Sequence, residues 1–214
     1  MVDEVIWKKK SRLHVQKHLE NVSLPHRAWL ADKILPHVGA SQQGQKQVPI
    51  SILEIGCGCG ANLEVLARCS PSIRLTGVDI SPQSVAVGRE RFKQIGLENI
   101  TLIEGQADSL RIFADASVDV VFTDAMLLYI GPDKISRVIE EMGRIAKRAV
   151  ILLELHRDGI GLNGSYTRDG FIRDYRELCK QLSPHISVIR MPSEKRPAGR
   201  WPEFGTLTEV ILHR

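Results

Sequence analysis

Little in this sequence suits a membrane, a disulfide scaffold or a nucleic-acid groove. The apolar run AVILLEL (149–155) is far shorter than the roughly 20 residues needed to cross a bilayer. The opening MVDEVIWKKK carries acidic residues where a secretory signal has a basic region, and no apolar stretch follows; a cytoplasmic protein is expected. The four cysteines (Cys57, Cys59, Cys69, Cys179) do not suggest a disulfide framework. Cys57 and Cys59 form a C-x-C with no second pair at zinc spacing, which reads as small side chains tolerated in a crowded loop. His14 and His18 are four apart, but no third ligand is placed beside them, so no metal is expected. Net charge is only +4, too mild to argue for nucleic acid. Aromatics make up 5% of the chain, and the basic run KKKSRLHVQKH has no aromatic platform beside it for single strands. That run reads as a solvated helix face, with a phosphorylated or nucleic-acid acceptor not excluded.

What is present is an ordinary globular composition, long enough to bury one sizeable core. PISILEI (49–55), IRLTGVDI (73–80), ITLIEG (100–105), VDVVFT (118–123) and AVILLEL (149–155) are short apolar runs that read as buried strands. Helical patterns separate them. Ser81-Pro82 caps and opens one helix, and Gly96 stands where it should end. A second pattern, over 132–147, puts Ile135, Val138, Ile139, Met142 and Ile145 on one face. Strand and helix in alternation predict a parallel sheet covered on both faces. HISVIRM (185–191) and TLTEVILHR (206–214) have no helix pattern between them, only the polar linker PSEKRPAGRWPEFG, so they should pair antiparallel at the end of the sheet. Residues 1–48 differ in character. KKKSRLHVQKHLENV and PHRAWLADKILPHV read as two short helices, followed by a polar loop (39–47) that leads into a second unit, 49–214.

The stretch ILEIGCGCGANL (52–63) sets three glycines at alternate positions after a strand, where something must approach the backbone closely. Gly56, Gly58 and Ala61 fit the dinucleotide spacing G-x-G-x-x-A, with Asp79 ending the next strand. Three features turn the reading away from a pyrophosphate. Glu54 precedes the loop, and its charge suits an ammonium. Asp108 follows the third strand, where it can accept from an exocyclic amine. The seven strands leave no room for a separate substrate domain.

Residues 50–214 thus resemble the class I S-adenosylmethionine-dependent methyltransferases. The resemblance rests on LEIGCGCG, VDISPQSV, GQADSL and SVDVVFTDAMLLYI, and on the closing strand pair. It implies a Rossmann-like α/β fold, with a seven-stranded, mostly parallel sheet, helices on both faces and an antiparallel last strand. It implies S-adenosyl-L-methionine as cofactor. Gly56, Cys57 and Gly58 would pass close to its methionine portion, near Glu54. Asp79 would accept from the ribose hydroxyls, and Ile80 would pack on the adenine. Ala107 and Asp108 would read the adenine edge, and Thr123 and Asp124 would line the methionine end. Bland readings stand beside these: Glu54 as a capping or salt-bridged residue, Asp108 as an N-cap.

Methyl transfer is an in-line displacement, so alignment is the protein's main task, and a base matters only if the acceptor must lose a proton. Asp124, Tyr129, Glu154, His156 and Tyr166 are the candidates near the methyl end. His156 is the preferred base, on a loop over the site, although a loop histidine bonded to backbone fits equally well. Trp7, Trp29 and the N-terminal helices are expected to form a lid, and the glycine-rich insert HRDGIGLNGSYTRDG (156–170) a mobile loop. TDAMLL stands where an Asn/Asp-Pro-Pro-Tyr motif would mark an amino-methyltransferase acting on nucleobases or amides. That leaves a small-molecule acceptor, methylated on oxygen or nitrogen. Two other classes stay open: a non-catalytic S-adenosylmethionine-binding partner or sensor, and a nicotinamide-dependent oxidoreductase. Neither the acceptor nor the oligomeric state is written in the sequence.

Overall fold

The computed structural model describes residues 22–38, 50–168, 170–195 and 199–213. The first expected helix, with Trp7, His14 and His18, lies outside the described residues, as does the polar loop at 39–47. The second forms as α1 (Pro25–Ile34), continued by a 3-10 turn at Leu35–Val38.

Seven strands make one sheet: β1 (Ser51–Ile55), β2 (Arg74–Asp79), β3 (Ile100–Glu104), β4 (Val118–Asp124), β5 (Ala146–Leu155), β8 (Ile186–Arg190) and β9 (Gly205–Ile211). Their order is β3-β2-β1-β4-β5-β9-β8. The first five run parallel, and β9 lies antiparallel between β5 and β8. The expected architecture is therefore present. Its helices are α2 (Ala61–Cys69), α3 (Pro82–Gln94), α4 (Ile135–Ile145), α5 (Tyr175–Cys179) and α6 (Trp201–Phe204).

Alternation along the strands divides the core in two. Ile52, Leu75, Val120, Phe122, Ile151 and Leu153 pack on the side of α1, α2 and α3. Leu53, Ile55, Val121, Val150 and Leu152 pack against α4 and α5. With both faces buried, the central strands are dominated by apolar residues on both sides, which is what makes them legible as runs. The cap of α3 also forms as expected: the Ser81 side chain accepts from Ser84 N–H at 3.2 Å, and Gly96 takes a left-handed φ of 69° just past the helix.

Three local features depart from the expectation. β5 begins at Ala146, because one extra residue is bulged out opposite Val118–Val120 and lets the polar Lys147 and Arg148 enter the strand. The insert after β5 carries a two-stranded hairpin, β6 (Ser165–Thr167) with β7 (Gly170–Ile172). The final linker holds the one-turn α6, with Pro202 in its first turn where the missing N–H costs nothing. Among the described residues no helix is long and apolar enough to cross a membrane.

The amphipathic face of α4 is fully buried, Ile139 included. Ile139→Ala should lower stability by about 2–5 kcal/mol in urea denaturation, at unchanged far-ultraviolet circular dichroism.

Candidate active site

At the carboxyl ends of the parallel strands lies a cavity of about 410 Å³, within the range of small-molecule sites. The turn after β1 forms its floor. Gly56 N–H and Cys57 N–H both donate to Val78 O, at 2.7 and 3.1 Å, which folds the loop back over β2. Gly56 and Gly58 both have positive φ, 75° and 55°, a conformation that side chains disfavour. Their surroundings differ. A Cβ on Gly56 would sit 2.1 Å from Met126 Cγ, so that space is filled by the protein; a Cβ on Gly58 would meet nothing within 4 Å. Of the two, Gly58 is the place where a ligand can reach the backbone.

Nine of the ten expected cofactor residues line the cavity: Glu54, Gly56, Cys57, Gly58, Asp79, Ile80, Ala107, Asp108 and Asp124. Thr123 does not; it is buried, and its hydroxyl donates to Glu154 Oε1 at 2.9 Å. Asp79 turns out to have a structural task as well. Its Oδ2 accepts from Gly58 N–H at 2.7 Å and its Oδ1 from Ser81 N–H at 2.8 Å, so one carboxylate ties the glycine loop to the start of α3. Asp108 faces Lys134 Nζ at 3.5 Å.

The methionine end expected at Glu54 and Asp124 is a buried polar knot. Asn62, in the first turn of α2, donates to Glu54 Oε1 at 2.7 Å and to Asp124 Oδ2 at 3.0 Å. From α1, His26 Nε2 lies 3.4 Å and Arg27 Nη1 3.6 Å from the same Asp124 oxygen. Arg27 also donates to Asn62 Oδ1. Burial alone would raise the Asp124 carboxyl, but the His26 hydrogen bond, the His26 and Arg27 charges and the Asn62 amide hold it below its ordinary range. Glu54 has less help. Burial pushes it up to about 8 against the pull of Asn62, with Asp124 raising it further. Its Oε2 is buried and has no hydrogen-bond partner among the described residues, an arrangement costly unless something cationic completes it.

His156 is not brought to the cavity. Its backbone bridges Arg173, and its ring Nδ1 accepts from Tyr175 N–H at 3.1 Å while Nε2 faces Asp158 at 3.2 Å. Both nitrogens are engaged in holding the insert to α5, so the base role expected of His156 is corrected: it is the loop histidine bonded to backbone. The same bond leaves the Nε2 proton on the side of Asp158, which suits neither a base nor a metal ligand there. Tyr166 is exposed, edge-on to Phe171. Tyr129 does line the cavity.

Two residues fix the wall that carries Tyr129. At the end of β4, Ala125 takes a left-handed φ of 54° and turns the chain sharply. Glu154 then accepts from the N–H groups of Met126, Leu127 and Leu128, at 3.0, 3.0 and 3.3 Å. From the other side the fully buried Arg173 donates to Leu127 O and Ile130 O. Burial pushes Glu154 up to about 7, despite those hydrogen bonds. The sequence reading missed His26, Arg27, Asn62 and Arg173; the one available signal was a pair of basic residues in the first turn of α1, where the helix dipole disfavours them.

An open sheet of this order, with an acidic, glycine-floored cavity at its carboxyl edge, is a Rossmann-like methyltransferase fold, and the comparisons with known proteins agree. Residues 52–149 match the family model of a methyltransferase domain. The chain is similar to a demethylmenaquinone methyltransferase of Bacillus cytotoxicus, 32% identical over 146 residues, covering 67% of this chain and 57% of the relative. It is also similar to a putative O-methyltransferase of Mycobacterium ulcerans, 28% identical, covering 70% of this chain and 68% of the relative. Magnesium protoporphyrin IX methyltransferase from Synechocystis, solved with bound SAH, shares the fold at a TM-score of 0.68 and 15% identity, with 99% of this chain and 100% of that one covered. Against three other curated relatives the chain spans only 17%, 28% and 52% of the relative's own length. Nearly half of the chain is thus similar to a methyltransferase domain, and its fold is shared with a methyltransferase solved with bound SAH.

Glu54 and Glu154 both hold their protons more tightly folded than unfolded, where a glutamate titrates near 4.5. Between about pH 5 and pH 8 the unfolded chain therefore binds fewer protons, and stability should fall as pH rises. The urea midpoint of ligand-free protein should decline across that window, and Glu54→Gln should flatten the decline.

Proposed function

We propose that this chain transfers the methyl group of S-adenosylmethionine, by in-line displacement, to an oxygen or nitrogen of a small-molecule acceptor. The observation that carries the reading is the buried, half-partnered Glu54 beside the open backbone of Gly58. A dinucleotide phosphate brought to this floor would meet the Asp79 carboxylate, and any ionisation of Glu54 beside it would add to the repulsion. A ligand with an ammonium at one end and a neutral nucleoside at the other would meet no such repulsion.

In this reading the bound cofactor supplies an activated methyl on a positively charged sulfur. The chain does the rest. Glu54 receives the ammonium. The Asp79 carboxylate, already oriented by Gly58 and Ser81, accepts from the ribose hydroxyls with its remaining lone pairs. Ile80 packs on the adenine, and Ala107 and Asp108 take its edge. Residues 1–48 serve as the lid and substrate segment, with α1 its described part. Leu24, His26 and Arg27 from that segment, together with Tyr129 and Trp201, line the side left for the acceptor. Leu24, Tyr129 and Trp201 in a cavity of about 410 Å³ support a small molecule, as do the names of the two relatives above, a demethylmenaquinone methyltransferase and a putative O-methyltransferase.

Calorimetric titration with S-adenosylhomocysteine, run beside NADH, tests the cofactor. Micromolar binding of the former and none of the latter is expected, with affinity about tenfold or more weaker in Asp79→Asn. Because Glu54 is protonated at pH 7 before binding and ionised once paired, binding should release a proton. Its heat should therefore vary with the ionisation enthalpy of the buffer in the wild type and not in Glu54→Gln. NADH binding in place of the nucleoside would overturn the reading.

A further inference from the structure

We infer that His26, oriented by Asp124, is the general base of this enzyme, and that its acceptor carries a proton on the atom to be methylated. The inference rests on the methyltransferase reading above and adds to it a catalytic residue and a property of the substrate.

The argument begins with a local conflict. Pro25 starts α1, and its first turn contains no acidic residue but two basic ones, His26 and Arg27. Basic groups at a helix N-terminus face the positive end of the dipole and destabilise it. The helix is one in which a local rule is broken, and such places are commonly functional sites. Here Asp124 offsets the conflict from outside the helix. It lies at the end of β4, is buried, and is held ionised beside both side chains.

The second step is the state this imposes on the ring. His26 Nε2 faces Asp124 Oδ2 at 3.4 Å, so in its neutral form the imidazole keeps its proton on Nε2 and leaves the lone pair on Nδ1. That atom makes no hydrogen bond among the described residues, unlike either nitrogen of His156. A carboxylate that fixes the tautomer of a histidine and stabilises the imidazolium formed when it takes a proton is the arrangement used in acyl-transfer triads. The charged groups around His26 are Arg27 on its own helix, Asp124 on β4 and, beyond Asn62, Glu54 on β1.

The third step is elimination within the cavity. Among the described residues His26 is the one histidine that lines it. Asp79 is tied to two backbone N–H groups, Asp108 faces Lys134, and Asp124 is taken up by Asn62, His26 and Arg27. Glu54 is the group expected to receive the cofactor ammonium. His26 combines an imidazole lone pair with a place in the lining of the cavity.

The step then balances. The acceptor O–H or N–H proton passes to His26 Nδ1, and the acceptor lone pair forms the bond to the methyl carbon. The carbon–sulfur bond breaks with its electron pair left on sulfur. The positive charge lost from sulfur reappears on the imidazolium, beside Asp124. No oxidant or metal is needed.

Two acceptor-independent measurements and one turnover measurement test this. In the complex with S-adenosylhomocysteine, nitrogen-15 NMR should find the neutral form of His26 protonated on Nε2, with Nδ1 bare. Calorimetry should give His26→Gln an affinity for S-adenosylhomocysteine within about threefold of wild type. With S-adenosylmethionine and a panel of small phenols and hydroxy acids, His26→Gln and Asp124→Asn should lower kcat about a hundredfold or more, and His26→Gln should leave the KM for the cofactor unchanged. A Nδ1 that is protonated in the complex, or a tenfold or greater loss of S-adenosylhomocysteine binding in His26→Gln, would make the residue a ligand of the cofactor's carboxylate and overturn the inference. So would a kcat that the substitution leaves intact, or a panel in which no compound is methylated. Failure of the wild type to bind S-adenosylhomocysteine at all would instead remove the reading on which the inference stands.

Discussion

One carboxylate holds the cavity open. Asp79 ends β2 and accepts from Gly58 N–H and Ser81 N–H. The glycine loop has few hydrogen bonds of its own, since Gly56 and Cys57 both spend their N–H groups on Val78 O. Without an anion in the position of Asp79, the backbone at Gly58 would have no reason to remain in its left-handed conformation, and the N-cap turn of α3 would lose its brace. The residue that shapes the floor also lines the cavity. Bonds from two backbone donors orient its carboxylate in advance, which is what a preorganised site requires.

Around that anchor the structure handles three further buried carboxylates in three ways. Asp124 is compensated by His26, Arg27 and Asn62. Glu154 is buried beneath the Met126–Leu128 turn and receives its N–H groups, while Arg173 takes the carbonyls of the same turn at Leu127 and Ile130. Glu54 is left short of a partner. Buried polar groups are normally satisfied, and each exception needs a reason. Glu54 is the one carboxylate among the five buried side-chain atoms without a partner among the described residues, and it lies in the cavity proposed to take a cofactor that ends in an ammonium.

Much of this could be read from the residues. The central strands are buried on both faces, so they appear as uninterrupted apolar runs, and their glycine, proline and serine boundaries match the structure. β5 appeared three residues too short because Lys147 and Arg148, admitted at the bulge, broke the run. The β6–β7 hairpin has three residues a strand and a polar sequence with little alternation, too short for periodicity to register. The linker PSEKRPAGRWPEFG shows no helix pattern, yet it holds the one-turn α6 with Pro202 in its first turn. The cavity floor was legible because Glu54, the glycines, Asp79 and Asp108 are local to strand ends. The partners of Asp124 were not, because His26 and Asn62 meet it only through the packing of α1 on α2, and no spacing encodes that. His156 was misread for the same reason. It follows β5 at the ligand edge of the sheet, yet tertiary contacts from Arg173 and Tyr175 turn it away.

The account stands or falls on what completes Glu54. A crystal structure of the complex with S-adenosylhomocysteine is the most direct measurement. The account predicts the ammonium within hydrogen-bond distance of Glu54, the ribose hydroxyls on Asp79 and the Gly58 backbone in contact with the ligand. An ammonium placed elsewhere, with Glu54 Oε2 still unpartnered, would contradict it.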